Sequence, residues 1–150
     1  MLPFAAADEP TAVRRAFAAW SIELPVTFAE TYVDEDSYWY AWDDTRSVAL
    51  TSLVLTHKRR PVPAATIVRE LPRLGGTPFL EMPGGLAGRA MTGAAIPPAR
   101  ASRVLSGLLA MDGRVLIVTI TSDDPGWARG VWLSIRGHPA PLPPGSLGHH

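Results

Sequence analysis

Cysteine is absent from the 150 residues, lysine occurs once (Lys58), and the formal net charge is zero because 14 Lys and Arg balance 14 Asp and Glu. Without cysteine there is no disulfide framework, no thiol nucleophile and no Cys-ligated zinc. A balanced charge argues against nucleic-acid binding, which draws on a surplus of Lys and Arg to neutralise phosphates. No stretch approaches the ~20 apolar residues that span a bilayer as a helix, so no membrane role is expected. The start, Met1-Leu2-Pro3-Phe4-Ala5-Ala6-Ala7-Asp8-Glu9, is apolar but lacks the basic region of a signal peptide, and the expected location is the cytoplasm. Histidine is scarce as well. His138, His149 and His150 fall at the C-terminal end, which leaves His57 alone in the expected domain and excludes a three-histidine metal site. The phosphate loop, G-x-S-x-G, H-E-x-x-H and the dinucleotide fingerprint are all missing. Ser106 falls mid-strand, without the strand-to-helix turn a hydrolase serine needs. No enzyme activity, metal or cofactor is therefore expected.

Hydrophobic residues make up 47% of the chain, enough for one real core. Thirteen of the fourteen basic residues are Arg, and Ala, Pro and Gly are abundant, a bias that suggests a bacterium with a GC-rich genome. The expected organisation is an N-terminal arm over 1–16, a single domain over 17–137 and a Pro-rich flexible tail over 138–150.

Local patterns give the expected elements. Asp8-Glu9-Pro10 reads as a helix start, and Val13, Phe17 and Trp20 share a helical face. Trp20-Ser21-Ile22-Glu23-Leu24 alternates as a strand that Pro25 stops. Residues 31–42 alternate as one strand, with Tyr32, Tyr38, Tyr40 and Trp42 on one face and Val33, Trp39 and Ala41 on the other. Asp43-Asp44-Thr45-Arg46 is turn chemistry, and residues 47–56 complete a hairpin. Ala64, Ile67, Val68 and Leu71 make a helical stripe ahead of Pro72. Short strands follow over 78–82 and 86–96, the second rich in Gly and Ala, which suggests close packing or a bulge. Asp112-Gly113 joins strands over 102–111 and 115–121. Asp124 and Pro125 open a last helix with an apolar face of Trp127, Val131, Trp132 and Ile135, and Gly137 ends it. The fold class is α+β: a mainly antiparallel sheet of about six to seven strands with helices packed on it.

Two charge clusters need a reading. Asp34-Glu35-Asp36 and Asp43-Asp44 would sit roughly 23 Å apart at opposite ends of the hairpin, too far for one calcium site. A turn centred on Asp44-Thr45 would set Glu30 near Arg59, Tyr32 near His57 and Asp34 near Leu55. The run His57-Lys58-Arg59-Arg60 could attract phosphate, but cross-strand pairing with these acids is the preferred reading.

The aromatic group Tyr38, Trp39, Tyr40 and Trp42 is the best candidate surface for a partner or ligand, because Tyr and Trp combine large area with a polar tip. The competing reading is a sheet with layers on both faces, which would bury them. Arg89, Arg100 and Arg103 fall on or near two neighbouring strands and could line an anion pocket; of these, Arg89 and Arg103 join the candidate surface.

The strand Trp20-Ser21-Ile22-Glu23-Leu24-Pro25, the Trp39/Trp42 hairpin with its partner over 47–55, the amphipathic helix and the closing Asp-Pro-x-Trp helix together resemble the fold shared by the photosystem II protein PsbP and the Ran-binding protein Mog. The resemblance covers roughly residues 17–137 and implies a PsbP/Mog-like sheet. Relatives in that group are mostly non-enzymatic binding or assembly proteins, some of them chaperones of secreted effectors, and no catalytic motif transfers. The expected function is non-catalytic binding or assembly, with a protein partner or self-association as a homodimer. The alternatives are an adaptor for a secreted effector, or a small-ligand binder or enzyme with a pocket between sheet and helix.

Overall fold

The structure is a computed structural model and describes residues 9–34, 37–71, 76–95 and 101–139. Strand alternation builds most of it. In β4 (Tyr38–Trp42), Trp39 and Ala41 are buried while Tyr38, Tyr40 and Trp42 are half-buried. In β5 (Ser47–Val54), Val48 and Leu50 continue the buried face. In the pair β10 (Arg103–Met111) and β11 (Arg114–Ser122), Leu105, Leu109, Leu116, Val118 and Ile120 do the same. With β3 (Ala29–Asp34), β8 (Thr77–Phe79) and β9 (Ala87–Ala94), these form a seven-stranded sheet in the order β3-β4-β5-β11-β10-β9-β8, antiparallel throughout. The expected α+β class with a mainly antiparallel sheet therefore holds.

One face of this sheet carries the main core. A second sheet, β1 (Thr11–Phe17), β2 (Trp20–Pro25) and β12 (Arg136–Gly137), lies on that side with helix α2 (Pro125–Ser134). Trp20, Trp39 and Trp132 are fully buried there. Each indole N–H must find an acceptor or bear a desolvation cost. Trp39 donates to Glu30 at 3.1 Å and Trp132 to the Glu81 carbonyl at 2.8 Å, whereas the Trp20 N–H finds no partner among the described residues. Asp124 caps α2 as expected, accepting from the N–H groups of Gly126 and Trp127. On the other face a seven-residue helix, α1 (Ala64–Glu70), lies over β9, β10 and β11. Its Ile67 meets Leu108, Ala110 and Val115 in a second, small core. None of the described helices is long and apolar enough to cross a membrane.

Several expectations need correction. The helix over the first segment is a strand: β1 pairs with β2, Arg14 opposite Ile22, so residues 11–16 of the expected arm belong to the second sheet. A lone helix of two turns cannot offset its nucleation cost, while β2 offers ready backbone partners. Residues 31–42 are two strands, because the chain reverses after Asp34, whose carbonyl accepts from the Ser37 N–H. The expected hairpin register is correct only where both strands persist, with Tyr38 opposite Thr51 and Trp39 opposite Leu50. Glu30 faces Ala41 and not Arg59. An irregularity between Tyr32 and Asp34 puts Tyr32 opposite Trp39, on the buried side instead of with Tyr38 and Tyr40. There its ring meets Phe17 edge-on at 6.2 Å and its hydroxyl donates to the Ala16 carbonyl; burial, with the Glu30 charge, raises its pKa. Gly137 does not end α2, which stops at Ser134; it pairs with Trp20 in β12. The tail expectation falls largely outside the described residues, although His138 is anchored by a hydrogen bond from its N–H to the Ala19 carbonyl.

Candidate functional site

The sheet face that carries α1 is only partly covered. Tyr38, Tyr40 and Trp42 stand on it beside Ala49, Thr51 and Leu53, all half-buried except Leu53, which is exposed. Tyr40 and Trp42 are two apart on one strand, so their rings share a face, and they stack at 5.3 Å with planes 21° apart. Three of the four expected aromatics thus form a surface. Trp39 does not: alternation turns it into the core, where it is completely buried.

The arginines separate in the same way. Arg89 lies opposite Leu108 on the α1 side, and its guanidinium donates to the carbonyls of Val68 and Leu71 at the end of α1. These are the carbonyls that a helix leaves unsatisfied, and a cation suits that end of the dipole. Arg103 is exposed, and it lies opposite Ser122 and shares the parity of Leu105, so it projects to the other face. The two cannot line one pocket, and Arg100 lies outside the described residues.

Between the end of α1 and the sheet is a cavity of about 610 Å³. Val68 and Leu71 wall it from the helix; Pro78, Met91, Ser106, Leu108 and Ile117 wall it from the sheet; Leu80 and Met82 lie at the sheet edge. It forms there because β8 is short. Thr77 to Phe79 pair with Ala90 to Thr92, and the chain then leaves, so Gly88 and Arg89 border open space instead of another strand. Its size falls in the range of small-molecule sites, and the lining is almost entirely apolar. The polar side chains at its wall are Arg69, Arg89 and Ser106. Leu80, 85% exposed, stands at the rim.

Reading of the sequence missed this cavity. Its apolar residues come from five elements and share no spacing; the local sign was the Gly- and Ala-rich β9, read as close packing or a bulge. It also missed Arg46. Arg46 donates to both oxygens of Glu9 at 2.9 and 2.7 Å and to Asp43 at 3.0 and 2.6 Å, and its guanidinium lies 4.6 Å from the Trp127 ring centre and 5.3 Å from that of Phe28. The Arg46 hydrogen bond holds the Glu9 carboxyl below the usual range. Burial pushes Asp43 up, but hydrogen bonds from Arg46 and from the N–H groups of Thr45 and Arg46 outweigh it and the net shift is down. This cluster is a clamp between the β4–β5 turn, residue 9 and α2.

Ser21 and His138 meet at 2.7 Å between Oγ and Nε2. A serine–imidazole contact is the geometry of an activated nucleophile. Here Ser21 is buried on β2 and does not line the cavity beside α1, so the contact satisfies a buried hydroxyl. No group of three or more potential metal ligands occurs among the described residues. No protein-family model matches the chain, and no curated protein does.

Proposed function

We propose that this chain is a non-catalytic binding protein whose site is the apolar cavity between α1 and the sheet, and that it takes a small, largely apolar ligand. The cavity carries the reading. A volume of about 610 Å³ would hold some twenty waters at ~30 Å³ each, yet the wall gives them few hydrogen-bond partners. Such a space favours an occupant that replaces water with apolar surface, with Ser106 and Arg89 orienting a polar end. The resemblance to the PsbP/Mog group supports the same reading, since its members are mostly binding or assembly proteins. The seven-stranded antiparallel sheet with a helix on each face agrees with it.

Titration with the apolar fluorophore 1-anilinonaphthalene tests this. One saturable site per chain is expected. Ser106→Phe, which projects a ring into the cavity from the middle of β10, should weaken binding by at least about tenfold while leaving the melting curve in place. Equal binding by both proteins, or no saturation, would refute the cavity as the site.

A second reading rests on the Tyr40–Trp42 stack. The half-exposed pair lies on β4, away from the strands that α1 covers. It suits a protein partner, either a second copy in a homodimer or an apolar segment of a secreted effector.

A further inference from the structure

We propose that the hairpin tip His57–Arg60 is a binding site for a compact, multiply charged phosphate anion. The tip consists of β6 (Thr56–His57) and β7 (Arg60–Pro61), which pair with His57 opposite Arg60 around a two-residue turn. Lys58 and Arg59 form that turn with φ of 52° and 65°. Both values are left-handed, the pattern of a turn that Asn-Gly adopts at little cost. Each is unfavourable for an ordinary L residue, whose Cβ crowds the following carbonyl oxygen. Two cations thus occupy the positions where hairpin stability alone would favour other residues, and strained backbone of this kind concentrates at functional sites.

The charges at the tip are not answered by any of the described residues. All four residues are exposed, and among the described residues none of their side chains makes an ion pair or hydrogen bond. Cations elsewhere are engaged: Arg14 with Glu30, Arg46 with Glu9 and Asp43, Arg129 with Glu81, Arg136 with the end of α2. The described basic residues lacking any partner are Lys58, Arg59, Arg60 and Arg103. Three of those four are consecutive.

The tip is also braced. Leu55 donates to the Gly113 carbonyl at 2.8 Å, Val62 to Leu55 at 3.0 Å and Gly113 to Val62 at 2.7 Å, which ties the base of the hairpin to the β10–β11 turn. Leu55 and Val62 pack on the small core beneath α1. A held backbone reduces the ordering cost of binding.

Two guanidinium forks and an ammonium within four residues match the oxygens of a phosphate cluster, which Arg engages in pairs of parallel hydrogen bonds. The footprint of one turn suits a compact anion. A nucleic-acid backbone needs a basic track, and among the described residues the only other unpartnered cation, Arg103, lies on β10.

Isothermal titration with inorganic tripolyphosphate at low ionic strength is the direct test. One site per chain is expected, weakened by added salt. Lys58→Asn with Arg59→Gly keeps a favourable turn, so its melting temperature should equal or exceed that of the unmodified protein. This variant should lose at least about tenfold in affinity, whereas Arg103→Gln should bind unchanged. Absence of saturable binding, or equal binding by the turn variant, overturns the proposal. Co-sedimentation with vesicles containing phosphatidic acid, lost in the turn variant, would assign the phosphate to a lipid headgroup. Failure to sediment, with tripolyphosphate still bound, would assign it to a soluble phosphate. Tighter binding of a polyglutamate peptide than of tripolyphosphate would overturn the phosphate reading in favour of an acidic polypeptide.

Discussion

Replacing Arg46 with Met keeps the aliphatic stem and deletes the guanidinium that two carboxylates and two aromatic rings share. Hydrogen bonds to charged groups contribute about 1.5–3 kcal/mol each when sheltered. The side chains here are 19% (Arg46), 27% (Glu9) and 22% (Asp43) exposed, so solvent screening cuts each pair to about 1 kcal/mol. Contacts with Trp127 and Phe28 add about 0.5–1 kcal/mol apiece. The expected loss is about 3 kcal/mol. In a chain of this length that corresponds to a fall of roughly 6–12 °C in melting temperature. Urea unfolding followed by tryptophan fluorescence reads it directly. Acidification supplies an internal check. Glu9 and Asp43 have lowered pKa values in the folded protein, so their contribution is complete above the ordinary carboxylate range, about pH 4. It is lost as pH falls through the depressed folded values. The gap between Arg46→Met and the unmodified protein should therefore narrow below about pH 4. A loss under about 1 kcal/mol at neutral pH, or a gap that widens in acid, would refute the clamp.

A Cβ at Gly107 would lie 2.7 Å from the Arg89 carbonyl oxygen, 2.7 Å from Cη2 of Trp132 and 2.9 Å from Cβ of Ala90. Gly107→Ala should destabilise by about 1–3 kcal/mol in urea unfolding, and a change below about 0.5 kcal/mol would show that β9 and β10 give way freely. Tyr40→Ser with Trp42→Ser should abolish any concentration-dependent growth in mass seen by light scattering, with only a minor effect on melting. A strictly monomeric unmodified protein would remove the homodimer.

Legibility tracked the range over which each signal acts. Asp112-Gly113 and the Asp124-Pro125 helix start were readable because capping and turn chemistry are local: Gly113 takes φ of 78°, and Asp124 accepts from two N–H groups. The β4–β5 register was readable because one turn sets it. It failed beyond Tyr38 because the chain reverses there, which one strand's alternation cannot announce. The Gly- and Ala-rich β9 signalled close packing or a bulge, and Gly88 shows the close packing, since a Cβ there would lie 2.5 Å from the Leu108 carbonyl oxygen. Within the aromatic group, alternation set Trp39 on the face opposite Tyr38, Tyr40 and Trp42, but it does not say which of the two faces is the buried one. The cavity and the Arg46 clamp were illegible because each gathers residues far apart in sequence: Glu9 with Arg46 and Trp127, Val68 with Met91 and Ile117.

Zero net charge argues against nucleic-acid binding, but it does not extend to a small anion that touches one part of the surface. Net charge governs the distant field, but a ligand touching one hairpin senses charges within about a Debye length, ~8–10 Å. Inside the fold the acids are answered where they sit: Glu9 and Asp43 by Arg46, Glu30 by Arg14, Glu81 by Arg129, Asp123 by the N–H and hydroxyl of Ser102, and Asp124 by the start of α2. Glu30, the acid expected beside Arg59, is held instead against Arg14 and Trp39. The compensation is therefore spatially uneven, with cations surplus at positions 58–60. That surplus lies before the first residue of α1, while the cavity lies at its last turn, and seven helical residues at about 1.5 Å each keep them roughly 10 Å or more apart. Removing the turn cations should then leave fluorophore binding intact, and filling the cavity should leave tripolyphosphate binding intact.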